Sequence, residues 1–146
     1  MIIKEVTTNK LIQQFHQLPF SIYKNDNNWI PHIKQDVEKV FDPTKNKAHA
    51  NGKITRWLLF NNTNKAIGRI AAFVNFETTE SNEQPTGGVG FFECVNDNEA
   101  ATTLFNTAKD WLAQHGMEAM DGPINFGEKN MFWGLLVENF TDPNSY

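Results

Sequence analysis

One stretch restricts the fold of this chain more than any other. Gly88 to Val95 reads as a strand that is apolar on both faces, with Phe91 and Val95 on one and Phe92 and Cys94 on the other. An amphipathic helix follows, Asn98 to His115. Ala101, Leu104, Phe105, Ala108, Trp111 and Leu112 fall on one stripe, and Asn106, Lys109, Asp110 and Gln114 lie off it. Glu118 to Ile124 reads as the next strand. A helical crossover of this length carries the chain back, so these two strands run parallel. Ahead of them, Ile54–Phe60 and Ala66–Phe76 flank Asn61-Asn62-Thr63-Asn64, a polar connection that signals a hairpin. A βαβ crossover beside antiparallel strands predicts an α+β chain with a mixed sheet.

The remaining segments are shorter. Met1 to Val6 alternates weakly and suits a first strand. Thr7 or Thr8 can cap a helix carrying Leu11, Ile12, Phe15 and Leu18, which Pro19 is expected to stop. Ile33, Val37, Val40 and Phe41 mark a second helix. Thr44–Lys53 is polar and basic and reads as an exposed loop, and Glu77–Thr86 reads as the most mobile one. Asn96 or Asp97 can cap the long helix, and Asn96 with Glu99 makes a variant capping box. Gly116 suits the left-handed position after its end. Met131–Phe140 fits neither helix nor strand well, and Tyr146 is expected to fray.

The 146 residues fit one domain. A net charge of −4 and a pI near 5.5 argue against a nucleic-acid binder and give no pull toward an anionic membrane. The single cysteine, Cys94, cannot form an intramolecular disulfide and reads as a small packed thiol. The first residues lack a signal-peptide pattern, and no apolar run approaches the ~20 residues of a membrane span, so a cytoplasmic protein is the default expectation. His16, His32, His49 and His115 show no ligand spacing, and no metal site is expected.

Several segments, taken in order, resemble a known group. These are Leu18-Pro19, Tyr23, Trp29-Ile30-Pro31, Gly68-Arg69-Ile70-Ala71-Ala72, Gly90-Phe91-Phe92-Glu93, Gly122-Pro123-Ile124-Asn125 and Gly134-Leu135-Leu136-Val137. The chain resembles the N-terminal part of a group of bacterial proteins related to GNAT-type N-acetyltransferases, which look like two such domains in tandem. The resemblance implies an acetyltransferase-like mixed sheet with an N-terminal helix pair on one side and the crossover helix on the other. It also implies that these residues are the first part of a longer two-domain protein, with the second domain as partner, and that acetyl-CoA or another acyl-CoA is the acyl donor. A small-molecule amine would be the acceptor. A fragment would expose an apolar docking face, through which a homodimer could form.

The resemblance directs attention to particular residues. In that superfamily the cofactor pyrophosphate lies on glycine-rich backbone at the start of the helix after the fourth strand. The corresponding turn here is Val95-Asn96-Asp97-Asn98-Glu99, with no glycine and two carboxylates. Val95, Asn96 and Asn98 are the cofactor-binding candidates. Helix capping is the plainer reading of the turn. Glu93 is the candidate general base, because some members use a strand glutamate to take the amine proton; a structural partner for Arg69 or Arg56 is its plainer reading. Arg69 is a candidate for an anionic group of the substrate, or one half of a buried ion pair. Tyr23 is placed at the lip of an acceptor cleft. Asn125 ends a parallel strand, where ligands of open sheets often sit. Two functions follow: a cofactor-poor acyltransferase half that shapes the acceptor cleft, or a non-catalytic binding module on the same scaffold. Splayed parallel strands would favour the first.

Overall fold

In the computed structural model, which describes residues 1–80 and 83–128, ten elements follow one another. They are β1 (Ile2–Glu5), α1 (Asn9–Ile22), α2 (Lys34–Phe41), a 3-10 turn (Lys47–Asn51), β2 (Gly52–Phe60), β3 (Ala66–Asn75), α3 (Phe76–Glu80), β4 (Thr86–Cys94), α4 (Asn98–Gln114) and β5 (Ala119–Asp121). The strands lie in chain order in one sheet. β1 through β4 pair antiparallel, and β5 returns parallel to β4 after α4. This is the expected α+β fold with a mixed sheet. The segment Met131–Phe140 and Tyr146 lie outside the described residues.

Strand alternation assigns the two faces. Trp57 and Leu59 of β2, with Ile70, Ala72 and Val74 of β3, meet Leu104, Ala108 and Leu112 of α4. Leu58 and Phe60, one residue out of step, meet Phe15, Leu18 and Val37 of α1 and α2. The helix pair and the crossover helix thus cover opposite faces, as the resemblance implied.

Several local expectations are corrected. Pro19 does not stop α1, which runs on to Ile22. A proline inside a helix removes one N–H and frees the carbonyl four residues back, and a later strand supplies that carbonyl with another donor, as described below. Of the two expected caps of α4, Asp97 is the one used, its carboxylate accepting from the amides of Glu99 and Ala100, and the Asn96–Glu99 box does not form. Thr44–Lys53 is not wholly loop. Asn46 caps the 3-10 turn through the Ala48 amide, and β2 begins at Gly52. The Glu77–Thr86 loop is entered by the short helix α3. β5 is shorter than the expected Glu118–Ile124 strand.

Two features shape the end of β4. Arg69 pairs with Glu93 and Ala71 with Gly90, so Ile70 faces two residues, Phe91 and Phe92. This is a β-bulge. Phe91 takes the extra position with φ of 52°, a left-handed value that a bulky residue adopts only under constraint. Val89 packs on the α4 side. Strict alternation from Val89 would send Glu93 to that side too, and the bulge turns it to the helix-pair side instead. Second, β5 pairs with only Thr86–Gly88 and ends at Asp121, while β4 continues to Cys94. The Ile124 amide still donates to the Val89 carbonyl at 2.9 Å. A Cβ on Gly90 would lie 2.3 Å from the Ile124 carbonyl oxygen, so this close approach requires glycine.

Candidate active site under the helix pair

The site is built from a proline outward. Pro19 has no N–H, so the Phe15 carbonyl loses its helical donor. The Arg69 guanidinium donates to that oxygen from Nη1 at 2.8 Å. Arg69 rises from the middle of β3, is 3% exposed, and lies over the Phe15 ring at 4.6 Å. Its Nη2 stands 3.9 Å from Glu93 Oε1, a long ion pair across the β3–β4 register. Its Nε is buried without a partner among the described residues. Burial pulls the Arg69 pKa down to about 10, against the pull of Glu93, so the guanidinium stays charged at neutral pH. Arg69 is therefore anchored within the protein, on the ion-pair reading of its sequence.

Glu93 is the chemically poised group. Its side chain is 19% exposed. The Tyr23 hydroxyl donates to Oε2 at 2.5 Å. Burial pushes the Glu93 pKa up, while the Tyr23 hydrogen bond and the Arg69 charge hold it back. A carboxylate whose pKa burial raises, with a cation beside it that favours its ionised form, suits proton abstraction from an amine. Tyr23 follows the last turn of α1, where its amide closes on the Pro19 carbonyl. Its ring stacks on Trp29 at 5.2 Å, and Phe20 meets Trp29 edge-on at 5.0 Å. His32 is electrostatically coupled to the same cluster. Burial and then the Arg69 charge lower its pKa.

Tyr23, Arg69 and Glu93, three of the sequence candidates, thus meet in one cluster. Val95, Asn96 and Asn98 stand apart, at the exposed turn after β4. The Val95 amide donates to the Ile67 carbonyl at 2.9 Å, and its own carbonyl accepts from Asp97. Val95 is therefore paired toward β3. By antiparallel alternation the preceding residue, Cys94, directs its backbone groups to the opposite edge. A cleft of about 460 Å³ opens beside this turn, lined among others by Leu18, Ile22, Ala66, Cys94, Val95 and Asn96. Burial, and then Asp97, raises the Cys94 thiol pKa, which leaves it a packed group rather than a nucleophile. Asn125 lies past the β5 end. It donates to the Glu128 carbonyl at 2.8 Å, and its Oδ1 is buried without a partner among the described residues.

A second charged cluster shares this face and carries no sequence signature. Arg56 of β2 reaches Glu38 of α2 with both terminal nitrogens, at 2.5 and 3.0 Å. His16 of α1 contacts the same carboxylate at 2.6 Å. The Arg56 guanidinium lies over Phe41 at 3.9 Å and Phe15 at 4.9 Å. Burial works against ionised Glu38, but the hydrogen bonds from His16 and Arg56 outweigh it and hold its pKa down to about 2. This cluster ties α1, α2 and β2 together.

No protein-family profile matches the chain. It is 26% identical over 132 residues to protein YghO of Escherichia coli K12, covering 90% of this chain and 33% of that protein. The chain thus spans about a third of the length of the curated relative it matches. Solved structures are similar in fold. An aminoglycoside antibiotic 6'-N-acetyltransferase of Acinetobacter baumannii aligns with a TM-score of 0.57 at 12% identity, over 94% of this chain and 97% of that one. AAC(6')-Iy, solved in complex with the bisubstrate analog CoA-S-monomethyl-acetylneamine, gives 0.57 at 10% identity over the same shares, 94% and 97%. A GNAT-family acetyltransferase of Staphylococcus aureus Mu50 gives 0.55 at 16% identity, over 84% of this chain and 72% of that one. No helix among the described residues is long and apolar enough to cross a membrane. The sheet order, the bulged fourth strand and the parallel crossover through α4 are arranged on the fold of the GNAT acetyltransferases.

Proposed function

We propose that this chain is the acceptor-side domain of an acyl-CoA-dependent N-acyltransferase, with Glu93 as the group that takes the proton of the acceptor amine. The observation that carries this reading is the placement of Glu93. A β-bulge turns it under the helix pair, Arg69 and Tyr23 hold it, and it stands on the part of β4 that β5 has left. An acyl-CoA thioester would supply the electrophilic acyl carbon. The rest is the work of this chain's residues: the Arg69 charge favours the ionised form of Glu93, Tyr23 orients it, and Glu93 Oε1 accepts a proton from the bound ammonium.

The donor fits this domain unevenly. The edge of β4 beyond Gly88, with the outward backbone groups of Cys94, suits an extended amide-containing arm. The start of α4 does not suit a pyrophosphate, because the Asp97 carboxylate already takes the Glu99 and Ala100 amides. The head of the cofactor would then rest on another part of a longer protein, such as a second domain.

Calorimetric titration with acetyl-CoA and CoA tests the reading. Wild-type protein is expected to bind both more weakly than micromolar. Asp97→Ala is expected to bind several-fold more tightly, because it frees two amides and removes a negative charge, while costing about 1 kcal/mol in thermal unfolding. Micromolar binding that Asp97→Ala leaves unchanged would overturn the account of α4. Absence of binding to both proteins at millimolar ligand would leave the chain a binding module on this scaffold.

A further inference from the structure

The last turn of α1 and the segment that leads from it to α2 carry exposed apolar side chains. Phe20 is 48% exposed, Ile30 41% and Ile33 66%. Phe20 does not stand alone. Phe20 packs edge-on against Trp29, Trp29 stacks on Tyr23, and Tyr23 holds Glu93 by its hydroxyl. A continuous aromatic surface therefore runs from the carboxylate of the site outward to solvent.

The charges of the same segment point the same way. Between Phe20 and Lys34 the sequence has two lysines, Lys24 and Lys34, against one aspartate, Asp26. Asp26 accepts the Asn28 amide at 2.9 Å within its own loop. In α2, Asp36 is paired with Lys39 at 2.8 Å and Glu38 with Arg56. Glu93, held by Tyr23 and Arg69, is the carboxylate that meets this surface from β4. A polycation needs several acidic partners, and this lip offers it lysines instead. One ammonium on a flat apolar group matches both features. The ammonium has Glu93, and the apolar body has two rings to lie against.

We propose that the acceptor is a primary amine carried on an aromatic-sized apolar group, seated on Phe20 and Trp29 with its ammonium donated to Glu93. The proposal rests on the reading of Glu93 as the group that receives the amine, and it adds the class of amine.

Calorimetry on the full chain at neutral pH tests it, with 2-phenylethylamine and spermidine as probes. Phenylethylamine is expected to bind at least about tenfold more tightly than spermidine. Trp29→Ala and Phe20→Ser are each expected to weaken it by about tenfold, the scale of one lost aromatic contact. Phe20 is exposed, so Phe20→Ser keeps the fold even where Trp29→Ala loosens Tyr23. Spermidine binding as tightly as phenylethylamine, or no amine binding at all, overturns the proposal. Glu93→Gln separates it from the reading beneath it. Loss in Glu93→Gln with both lip variants unaffected removes the aromatic seat and leaves Glu93 in its role. Loss in the lip variants with Glu93→Gln unaffected removes Glu93 and leaves the seat.

Discussion

Glu93→Gln is expected to lower the rate of acyl transfer from acetyl-CoA to an amine by roughly 10²–10⁴-fold, the usual contribution of a positioned general base. Glutamine keeps the size of the side chain and an oxygen that can accept from Tyr23. What it loses is the charge and the ability to take a proton. Release of free thiol, followed over a range of amine concentration, measures the effect. The pH profile supplies an independent sign. Burial raises the Glu93 pKa, so the wild-type rate is expected to fall as the pH drops through that raised value and the carboxylate becomes protonated. The variant lacks this limb. The substitution also leaves the buried Arg69 without its counter-charge, so a melting curve must accompany the rates. A folded Glu93→Gln protein with the wild-type rate and profile would exclude Glu93 as the base.

The largest effect on stability is expected from Glu38→Ala. Arg56 is 5% exposed, and Glu38 is its ion-pair partner among the described residues. Removing one member of such a pair strands the other charge and costs about 3–5 kcal/mol, against a total of roughly 5–15 kcal/mol for a domain. The same alanine also takes the contact from His16. Urea unfolding would show a lower midpoint with little change in slope. The pH dependence follows from the direction of the Glu38 shift. Its folded pKa, about 2, lies below the ordinary 4.5 that it regains on unfolding. Its contribution is therefore complete above pH 4.5 and is lost as the pH falls toward 2. Glu38→Ala should flatten the acid limb of the stability curve by this one group. Equal stability and an unchanged acid limb would mean that the cluster contributes little.

Both predictions rest on contacts between residues far apart in the chain, and this divides what could be read early from what could not. The crossover α4 was legible because its stripe repeats every three to four residues, and local spacing alone decides which face is apolar. The hairpin of β2 and β3 was legible from its polar turn, and the parallel return of β5 from the length of the connection. Arg69 and Glu93 are legible both as candidates and as partners of one another, whereas Tyr23 stands apart from them in the sequence. The meeting of Tyr23 with this pair is not legible, since Tyr23 and Glu93 are 70 residues apart and nothing local ties a tyrosine after one helix to a glutamate on a later strand.

Pro19 and Phe91 show the physical reason most clearly. Proline lacks a helical donor, and that local fact alone predicts a helix end. The end does not come, because β3 brings Arg69 to the carbonyl that Pro19 leaves open. Alternation likewise groups Glu93 with Phe91 and sets Phe92 and Cys94 opposite, as the structure has them; the bulge decides that the Glu93 face lies under the helix pair, opposite Val89. The sequence by itself determined the principal helices and strands and that they form a mixed sheet, because those choices depend on neighbours a few residues away. The tertiary structure decided which charged groups meet under the helix pair, because a buried guanidinium or carboxylate takes its partner from whatever element packs against it.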